Sequence, residues 1–175
     1  MHKVAFVFPG QGSQHIGMGR ALCESYPYVR ELFAKADAAL GYSIAKLCFD
    51  GPDTELVRTE NTQPALLSCA VAAAEVLKRE LGLLPSLTAG HSLGEYTALV
   101  VAESLDFTDA VRLVHLRGRF MQAAVPEGLG AMAALVGLTS GDVTALCAES
   151  STASEKAQIA NDNGAGQLVI SGHTP

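Results

Sequence analysis

The chain has 175 residues, a length that allows one domain, or one domain with a small subdomain. Apolar residues make up 49% of it and charged residues 17%, a composition that excludes a disordered protein. A formal net charge of −6, with no basic cluster beyond Lys78 and Arg79, argues against a nucleic-acid partner. The N-terminal run VAFVF is too short to cross a membrane or to form a signal-peptide core, so we expect a cytoplasmic protein.

The first part of the chain carries the pattern of an α/β protein with a parallel sheet. Residues Lys3 to Phe8 form a continuous β-prone run, which is typical of a strand buried on both faces of such a sheet. The loop PGQGSQ follows this strand. Helical periodicity then continues to about Leu40 with a break at Pro27, and DGPDTEL is predicted to be a loop.

A largely internal helix is predicted next, because the residues after Pro64 are small and apolar with little polar face. Asn61 or Thr62 can cap this helix, and Pro64 suits its first turn. LLPSLTAG contains the next short strand, and a helix follows it from Leu93 after one sharp turn. The last long helix of this part is predicted over residues 108–124.

The composition changes at a joint formed by Pro126, Gly128 and Gly130. Shorter elements are predicted after it: a strand over Ala131 to Leu138, a helix over Gly141 to Glu149, and strands over Ala157 to Asn161 and Gln167 to Ser171. This order is the first part of a β-α-β-β-α-β split fold. We therefore assign residues 1–126 to an α/β core and residues 127–175 to a smaller, truncated subdomain.

The four cysteines have no C-x-x-C pair and no histidine at metal-ligand spacing: Cys23, Cys48, Cys69 and Cys147. We predict that all four are small buried apolar residues, and we expect no metal site.

Four glycines follow the first predicted strand: Gly10, Gly12, Gly17 and Gly19. They do not form a dinucleotide-binding motif, which needs glycine where His15 stands, or a phosphate-binding loop, which needs lysine where Met18 stands. Two alternatives remain. The loop can bring its backbone close to a reacting centre, because glycine tolerates unusual φ and ψ angles, or it can be a tight strand-to-helix connection.

The segment GHSLG places Ser92 between a predicted strand and a predicted helix, the context in which G-x-S-x-G indicates a nucleophile elbow. In such a turn Gly90 and Gly94 relieve crowding, and the backbone N–H of Leu93 can point at a developing oxyanion. The alternative is that Ser92 is simply the N-cap of the following helix. Glu95 lies in the first turn, where its charge suits the helix dipole, and we assign it no chemistry.

Arg117 falls in the middle of an apolar arc of the helix over residues 108–124, whereas Arg112 and Arg119 lie on another side. A guanidinium cannot lose its proton to escape burial, so it requires an anionic partner. That partner is either a carboxylate of the protein or a carboxylate of a ligand. Next to an elbow serine, the ligand is the more economical choice, because the planar fork of arginine binds carboxylates bidentately.

The whole chain closely resembles the malonyl-CoA:acyl-carrier-protein transacylase family. Five motifs carry the resemblance, in the family's order and approximate spacing: FPGQGSQ, NTQPALL, GHSLGE, RGRFMQ and IANDNGAGQLVISG. It implies an acyl-serine at Ser92, an oxyanion hole from the backbone N–H groups of Gln11 and Leu93, and malonyl-carboxylate binding by Arg117. It also implies a hydrolase-like α/β core with an inserted ferredoxin-like subdomain, which would begin near Glu127.

The family's catalytic histidine lies after the small subdomain, beyond residue 175. His91 is next to Ser92 in a sharp turn, which makes it a poor base for its neighbour, and we expect it to line the site. The other four histidines are predicted to be surface or packing residues: His2, His15, His115 and His173. We therefore expect these 175 residues to be an incomplete enzyme, cut after the third strand of the split fold.

The resemblance implies transfer of a malonyl group from malonyl-CoA to the phosphopantetheine thiol of acyl carrier protein, through an ester of Ser92. No metal or redox cofactor is implied. Met1 directly precedes the first strand, which favours a stand-alone enzyme of bacterial type II fatty-acid synthesis. Two alternatives stay open: a serine hydrolase such as a thioesterase or lipase, and a non-catalytic fragment that binds the carrier protein.

Overall fold

A computed structural model describes residues 3–125 and 128–174. The chain forms two compact units, residues 1–122 and 123–175. The predicted boundary between residues 126 and 127 falls outside the described residues, as do Pro126 of the predicted joint and His2.

The first unit contains two strands and most of the helices, which occur in chain order as β1 (Ala5–Phe8), α1 (Arg20–Ser25), α2 (Pro27–Leu40), α3 (Ile44–Asp50), α4 (Asp53–Leu56), α5 (Thr59–Leu81), β2 (Leu87–Gly90), α6 (Leu93–Val101) and α7 (Phe107–Ala124). Strands β1 and β2 pair in parallel, with Ala5 opposite Leu87 and Phe8 opposite Gly90. The predicted α/β fold with a parallel sheet is confirmed. The break at Pro27 is also confirmed, because this proline is the first residue of α2.

Strand β1 is buried on one face only. Phe6 and Phe8 are buried in the core, whereas Val7 is 72% exposed. The prediction of a strand buried on both faces is therefore wrong for β1. Successive side chains of a strand point to opposite faces, and within the described residues helices cover only the face that carries the two phenylalanines.

Helix α5 is largely internal, as predicted, but it begins earlier than the sequence indicated. It starts at Thr59, so that Pro64 lies inside the helix rather than in its first turn. Proline has no N–H to donate to the carbonyl oxygen of Glu60, four residues before it. His115 Nδ1 of helix α7 lies 2.9 Å from that oxygen and takes the place of the missing donor. His115 is thus a packing histidine, and a partner distant in sequence supports the longer helix.

The connection before α5 was predicted to be a loop. The structure places one short helix in it, α4, of four residues. Leu56 at the end of α4 is fully buried, which explains why this turn is ordered into the core.

Helices α5 and α7 cross at very close range. A Cβ atom added at Gly118 of α7 would lie 2.6 Å from Glu60 Cα and 2.6 Å from the carbonyl oxygen of Thr59. These are backbone atoms, which cannot rotate away as a side chain can. The missing side chain at position 118 is therefore what allows α7 to approach the first turn of α5.

The second unit contains β3 (Gly130–Val136), α8 (Ser140–Glu149), β4 (Ala157–Asp162) and β5 (Gln167–His173). The strands form an antiparallel sheet of order β3-β5-β4. Val143, Cys147 and Leu168 are the buried residues of its core. Thr139 and Asp142 form a capping box at the start of α8. The four elements match the predicted ones in type and order.

All four cysteines are free. Cys48 and Cys147 are buried, but Cys23 and Cys69 are only partly buried, so the prediction that all four are buried is wrong for these two. A hydrogen bond with Cys48 and burial raise the pKa of the Cys69 thiol. Among the described residues there is no group of three or more side chains suited to hold a metal ion. No helix in that part of the chain is long and apolar enough to span a membrane.

Candidate active site

Ser92 stands in a sharp turn between strand β2 and helix α6. Its backbone has φ 54° and ψ −103°, an uncommon conformation for a residue with a side chain. Ser92 occupies the N-cap position of α6, but its side chain makes no capping hydrogen bond. The hydroxyl is therefore not used as a helix cap, and the geometry matches the alternative interpretation of a strand–nucleophile–helix elbow.

The glycines on both sides of Ser92 are required by close packing. A Cβ atom at Gly90 would lie 1.9 Å from the carbonyl carbon of Gly94, and one at Gly94 would lie 2.2 Å from the carbonyl oxygen of Phe8. Neither position has room for any other residue. The two glycines thus allow helix α6 to start directly over the end of strand β1.

The hydroxyl of Ser92 lies against the guanidinium of Arg117. Arg117 Nη2 donates a hydrogen bond of 3.0 Å to Ser92 Oγ. Arg117 Nη1 donates a second hydrogen bond, of 2.8 Å, to Oε1 of Gln63. The ring of Tyr96 lies beneath the guanidinium, with 5.7 Å between its centroid and Arg117 Cζ. A cation is therefore in contact with the hydroxyl of Ser92.

Arg117 is less enclosed than the sequence predicted. It is only partly buried, and the arc around it is largely open, with Leu113, Phe120 and Met121 all more than 40% exposed. Two residues of the predicted arc, Ala110 and Val114, are buried and form a seam of α7 together with Val111 and Gly118. Arg117 lies beside this seam. No ion pair joins Arg117 to a carboxylate within the described ranges, 3–125 and 128–174.

The loop after β1 packs against the elbow. A Cβ atom at Gly10 would lie 3.1 Å from both Nδ1 and the carbonyl oxygen of His91, and the His91 N–H donates to the carbonyl oxygen of Phe8. The predicted site loop and the serine turn are thus brought together, with His91 between them. Of the two alternatives for this loop, the geometry supports a close approach of its backbone to the reactive turn.

The two predicted oxyanion donors lie on the two segments that meet there. Leu93 is the first residue of α6, where backbone N–H groups lack acceptors within the helix, and its side chain is 1% exposed. Gln11 lies in the loop, exposed, and its side-chain Nε2 donates a hydrogen bond of 3.2 Å to Thr59 Oγ1 at the start of α5. This bond ties the loop to the helix that also carries Gln63.

Gln63 is a site residue that the sequence reasoning missed. It is fully buried, and its Nε2 donates a hydrogen bond of 3.2 Å to Sδ of Met121, one turn beyond Arg117 on α7. The signal was available in the NTQPALL motif, as an amide on a helix predicted to be internal. A buried polar side chain needs a hydrogen-bond partner, so an internal position for Gln63 indicated that another polar group lies next to it.

A sizeable cavity of the first unit lies elsewhere. It has a volume of about 550 Å³ and its lining includes Tyr28 and Lys35 of α2 and Asp106 of the connection between α6 and α7. Neither Ser92 nor Arg117 contributes to it. The candidate site is thus recognised by its elbow geometry and its cation rather than by the size of a cavity.

Comparison with known proteins gives relatives over the whole chain. The chain is 52% identical over 173 residues to the malonyl CoA-acyl carrier protein transacylase of Escherichia coli (strain K12), which covers 99% of this chain and 56% of that protein. The structure of the malonyl CoA-acyl carrier protein transacylase from Coxiella burnetii matches with a TM-score of 0.92 at 46% identity, over 99% of this chain and 54% of that one.

A type II PKS acyl-carrier protein in complex with its malonyl-transacylase matches with a TM-score of 0.90 at 47% identity, over 99% of this chain and 56% of that chain. The chain thus spans about half the length of the relatives that it matches. Residues 5–174 match the family model described as "Acyl transferase domain". Because this match extends over nearly all 175 residues, the chain belongs to the acyl transferase domain family.

Proposed function

We propose that the protein containing this chain transfers a malonyl group from malonyl-CoA to the phosphopantetheine thiol of acyl carrier protein, in fatty-acid biosynthesis in the cytoplasm. The observation that carries the proposal is the hydrogen bond of 3.0 Å from Arg117 Nη2 to Ser92 Oγ. It puts a cation within reach of the carboxylate of an acyl group that is bound to the serine. Relatives at about 50% identity have the matching name.

In the first step Ser92 Oγ attacks the thioester carbonyl of malonyl-CoA, the C–S bond breaks and coenzyme A leaves as a thiol. In the second step the thiol of phosphopantetheine attacks the seryl ester, the C–O bond breaks and Ser92 Oγ regains its proton. Thioester and ester exchange leaves every carbon at the same oxidation level, so the proposed reaction needs no redox cofactor.

The backbone N–H groups of Gln11 and Leu93 are the proposed oxyanion donors. The observed packing of their two segments at His91 supports this assignment, and each donor of this kind contributes about 2.7–4 kcal/mol to the transition state. His91 is proposed to line the site. The base for Ser92 is proposed to be a histidine beyond residue 175, as the family resemblance implies, because the guanidinium in contact with the hydroxyl cannot accept a proton.

The finer architecture is part of the same proposal. Residues 1–126 would form a hydrolase-like acyltransferase core, and residues 127–175 would be part of a ferredoxin-like subdomain. The strand–serine–helix turn supports the first assignment. The β-α-β-β order and the sheet order β3-β5-β4 support the second.

The test is intact-mass spectrometry after incubation with malonyl-CoA, on the wild type and on Ser92→Ala. We expect a malonyl adduct on the wild type that disappears on addition of carrier protein. We expect no adduct on Ser92→Ala, because this substitution removes only the hydroxyl group. Ser104→Ala, an exposed serine near the other end of α6, is the matched control and should keep the adduct.

Each alternative gives a different result in this experiment. A serine hydrolase would form the adduct and release free malonate without the carrier protein. A non-catalytic carrier-binding protein would form no adduct. Acyl-protein that persists in Ser92→Ala would refute the nucleophile assignment.

A further inference from the structure

The partner that holds Arg117 in place is an amide and not a carboxylate. Gln63 Oε1 accepts the hydrogen bond from Nη1 at 2.8 Å, and Gln63 is fully buried. A glutamate at this position would have nearly the same shape, but it would form an ion pair and neutralise the guanidinium. The amide satisfies one side of the fork and leaves the positive charge uncompensated.

The orientation of this amide is fixed by its two partners. The guanidinium of Arg117 only donates hydrogen bonds, and the thioether sulfur of Met121 only accepts them. Gln63 must therefore turn its oxygen toward Arg117 and its nitrogen toward Met121 Sδ, which lies 3.2 Å away. A flip of the amide would lose both bonds. Met121 thus selects the orientation in which Gln63 can hold the arginine.

The second nitrogen of the guanidinium fork, Nη2, faces Ser92. Nη2 is bonded to Ser92 Oγ, and Tyr96 lies on the face of the guanidinium. A guanidinium has five N–H donors, so the bond to Gln63 leaves enough of them for a carboxylate on an acyl group at Ser92. The neutral amide keeps that carboxylate free of competition from a carboxylate of the protein.

We propose that Gln63 is a specificity-determining positioning residue: as a buried neutral amide oriented by Met121, it holds Arg117 at Ser92 and preserves its charge for an acyl group that ends in a carboxylate. This inference rests on the proposed function. It predicts that the identity of residue 63 controls the choice between charged and neutral acyl groups, and that the reactivity of Ser92 itself is left nearly unchanged.

The test compares the rates at which Ser92 is acylated by malonyl-CoA and by acetyl-CoA, in the protein at the length that its gene encodes. In Gln63→Glu we expect the ratio of the two rates to fall by about 10- to 100-fold, because the hydrogen bonds to a charged partner that malonyl makes are lost. The loss should appear mainly as a higher KM for malonyl-CoA, and the acetyl-CoA rate should fall much less than the malonyl-CoA rate.

Gln122→Glu is the matched control, because it adds the same charge at an exposed position of α7, next to Met121. It should leave the ratio unchanged. Thermal unfolding shows whether Gln63→Glu is folded. If it is not, Met121→Leu decides, because Met121 is 47% exposed and leucine keeps an apolar side chain of similar volume without the sulfur that orients the amide. In that variant the ratio should fall by about threefold.

Equal losses for both acyl groups, or an unchanged ratio in a folded Gln63→Glu, would overturn the inference while leaving the proposed function intact. If Gln63→Glu does not fold, an unchanged ratio in Met121→Leu would likewise overturn the inference. A wild type that takes up neither acyl group would overturn the proposed function and this inference together.

Discussion

Ser92 and Arg117 are 25 residues apart in the chain, and a hydrogen bond of 3.0 Å joins their side chains. The arginine reaches the serine from helix α7, and the serine is presented by the turn before α6. A donor to the hydroxyl oxygen occupies one of the lone pairs with which Ser92 would attack. A substrate carboxylate that draws the guanidinium toward itself would weaken this bond, so substrate binding and exposure of the nucleophile are coupled at one residue.

Replacing Arg117 by alanine should therefore affect malonyl groups selectively. We expect Arg117→Ala to slow acylation by malonyl-CoA by about 10- to 150-fold, which corresponds to hydrogen bonds to a charged group of about 1.5–3 kcal/mol. Acylation by acetyl-CoA should change far less, because acetyl has no carboxylate. Stopped-flow acylation with both thioesters measures this, and Arg112→Ala, exposed on the same helix, is the control. Equal losses for both thioesters would show that Arg117 is structural.

At this scale the sequence was informative wherever a local pattern carries the chemistry. The sharp turn at Ser92 could be predicted because glycines flank it between a strand and a helix, whereas the apolar arc that singled out Arg117 is largely exposed. The contact of Arg117 with Gln63 could not be predicted, since no local pattern reports that α7 crosses the first turn of α5. The exposure of Leu113 and Phe120 could not be predicted either, because periodicity does not say which part of an apolar face is covered.

The packing of helix α7 on the first turn of α5 keeps Arg117 of α7 in contact with Gln63 of α5. Gly118→Ala should disrupt it, because the added Cβ would lie 2.6 Å from backbone atoms of Thr59 and Glu60. We expect a loss of about 1–3 kcal/mol in the free energy of unfolding, measured in urea, together with slower malonyl acylation. Gly141→Ala in α8 is the control, since its nearest atom would be Thr139 Oγ1 at 3.7 Å. Equal stability of both variants would contradict this account.

The capping box of helix α8 gives a pH-dependent prediction. Hydrogen bonds from the hydroxyl and the backbone N–H of Thr139 lower the pKa of Asp142. The stabilisation they provide is therefore present at neutral pH, above the usual pKa of the carboxyl group, and is lost as the pH falls through the lowered pKa.

We expect Thr139→Ala to destabilise α8 by about 0.5–2 kcal/mol at neutral pH, because it removes the cap. The difference from the wild type should shrink in acid, where Asp142 no longer accepts both bonds. Hydrogen exchange of the α8 amides at the two pH values measures this. A difference that grows in acid would have the wrong sign for a carboxylate that accepts the bonds.

The order and type of most elements followed from the sequence, because periodicity and the positions of proline and glycine are local signals. The start of α5 did not follow. Pro64 reads as a first-turn residue, and only the contact between His115 and the carbonyl oxygen of Glu60 explains why the helix extends to Thr59. A residue that is distant in sequence and replaces a missing backbone donor leaves no signal in the local sequence pattern.

The two units differ greatly in the size of their cores. The core of the first unit includes large side chains such as Phe33 and Leu67, whereas the second unit has only Val143, Cys147 and Leu168 among its described buried apolar residues. Its strand β3 carries exposed Met132 and Val136. The α/β class of the chain could be predicted from its alternating pattern of strands and helices. The exposure of apolar side chains in the second unit could not, because burial depends on neighbours in space.

A polypeptide limited to these 175 residues should turn over slowly. We expect malonyl transfer to carrier protein to be at least about 10³-fold slower than that of a full-length relative such as the Escherichia coli transacylase, because the base proposed for Ser92 is not among these residues and loss of the base of a serine nucleophile has effects of this size or larger. Steady-state turnover of both proteins tests this, with gel filtration to establish that the shorter one is monomeric. Turnover at equal rates would redirect the search for the base to His91 and the other described histidines.

The backbone of Ser92 has a consequence for how this site can change over time. Its φ of 54° is energetically unfavourable for any residue with a Cβ atom, at a cost of order 1 kcal/mol, whereas glycine adopts such angles freely. A glycine at position 92 would therefore relax the turn and make the folded state less strained, while removing the proposed nucleophile. Selection for folding alone would drift toward an inert descendant, and only selection for chemistry keeps serine where the fold would favour glycine.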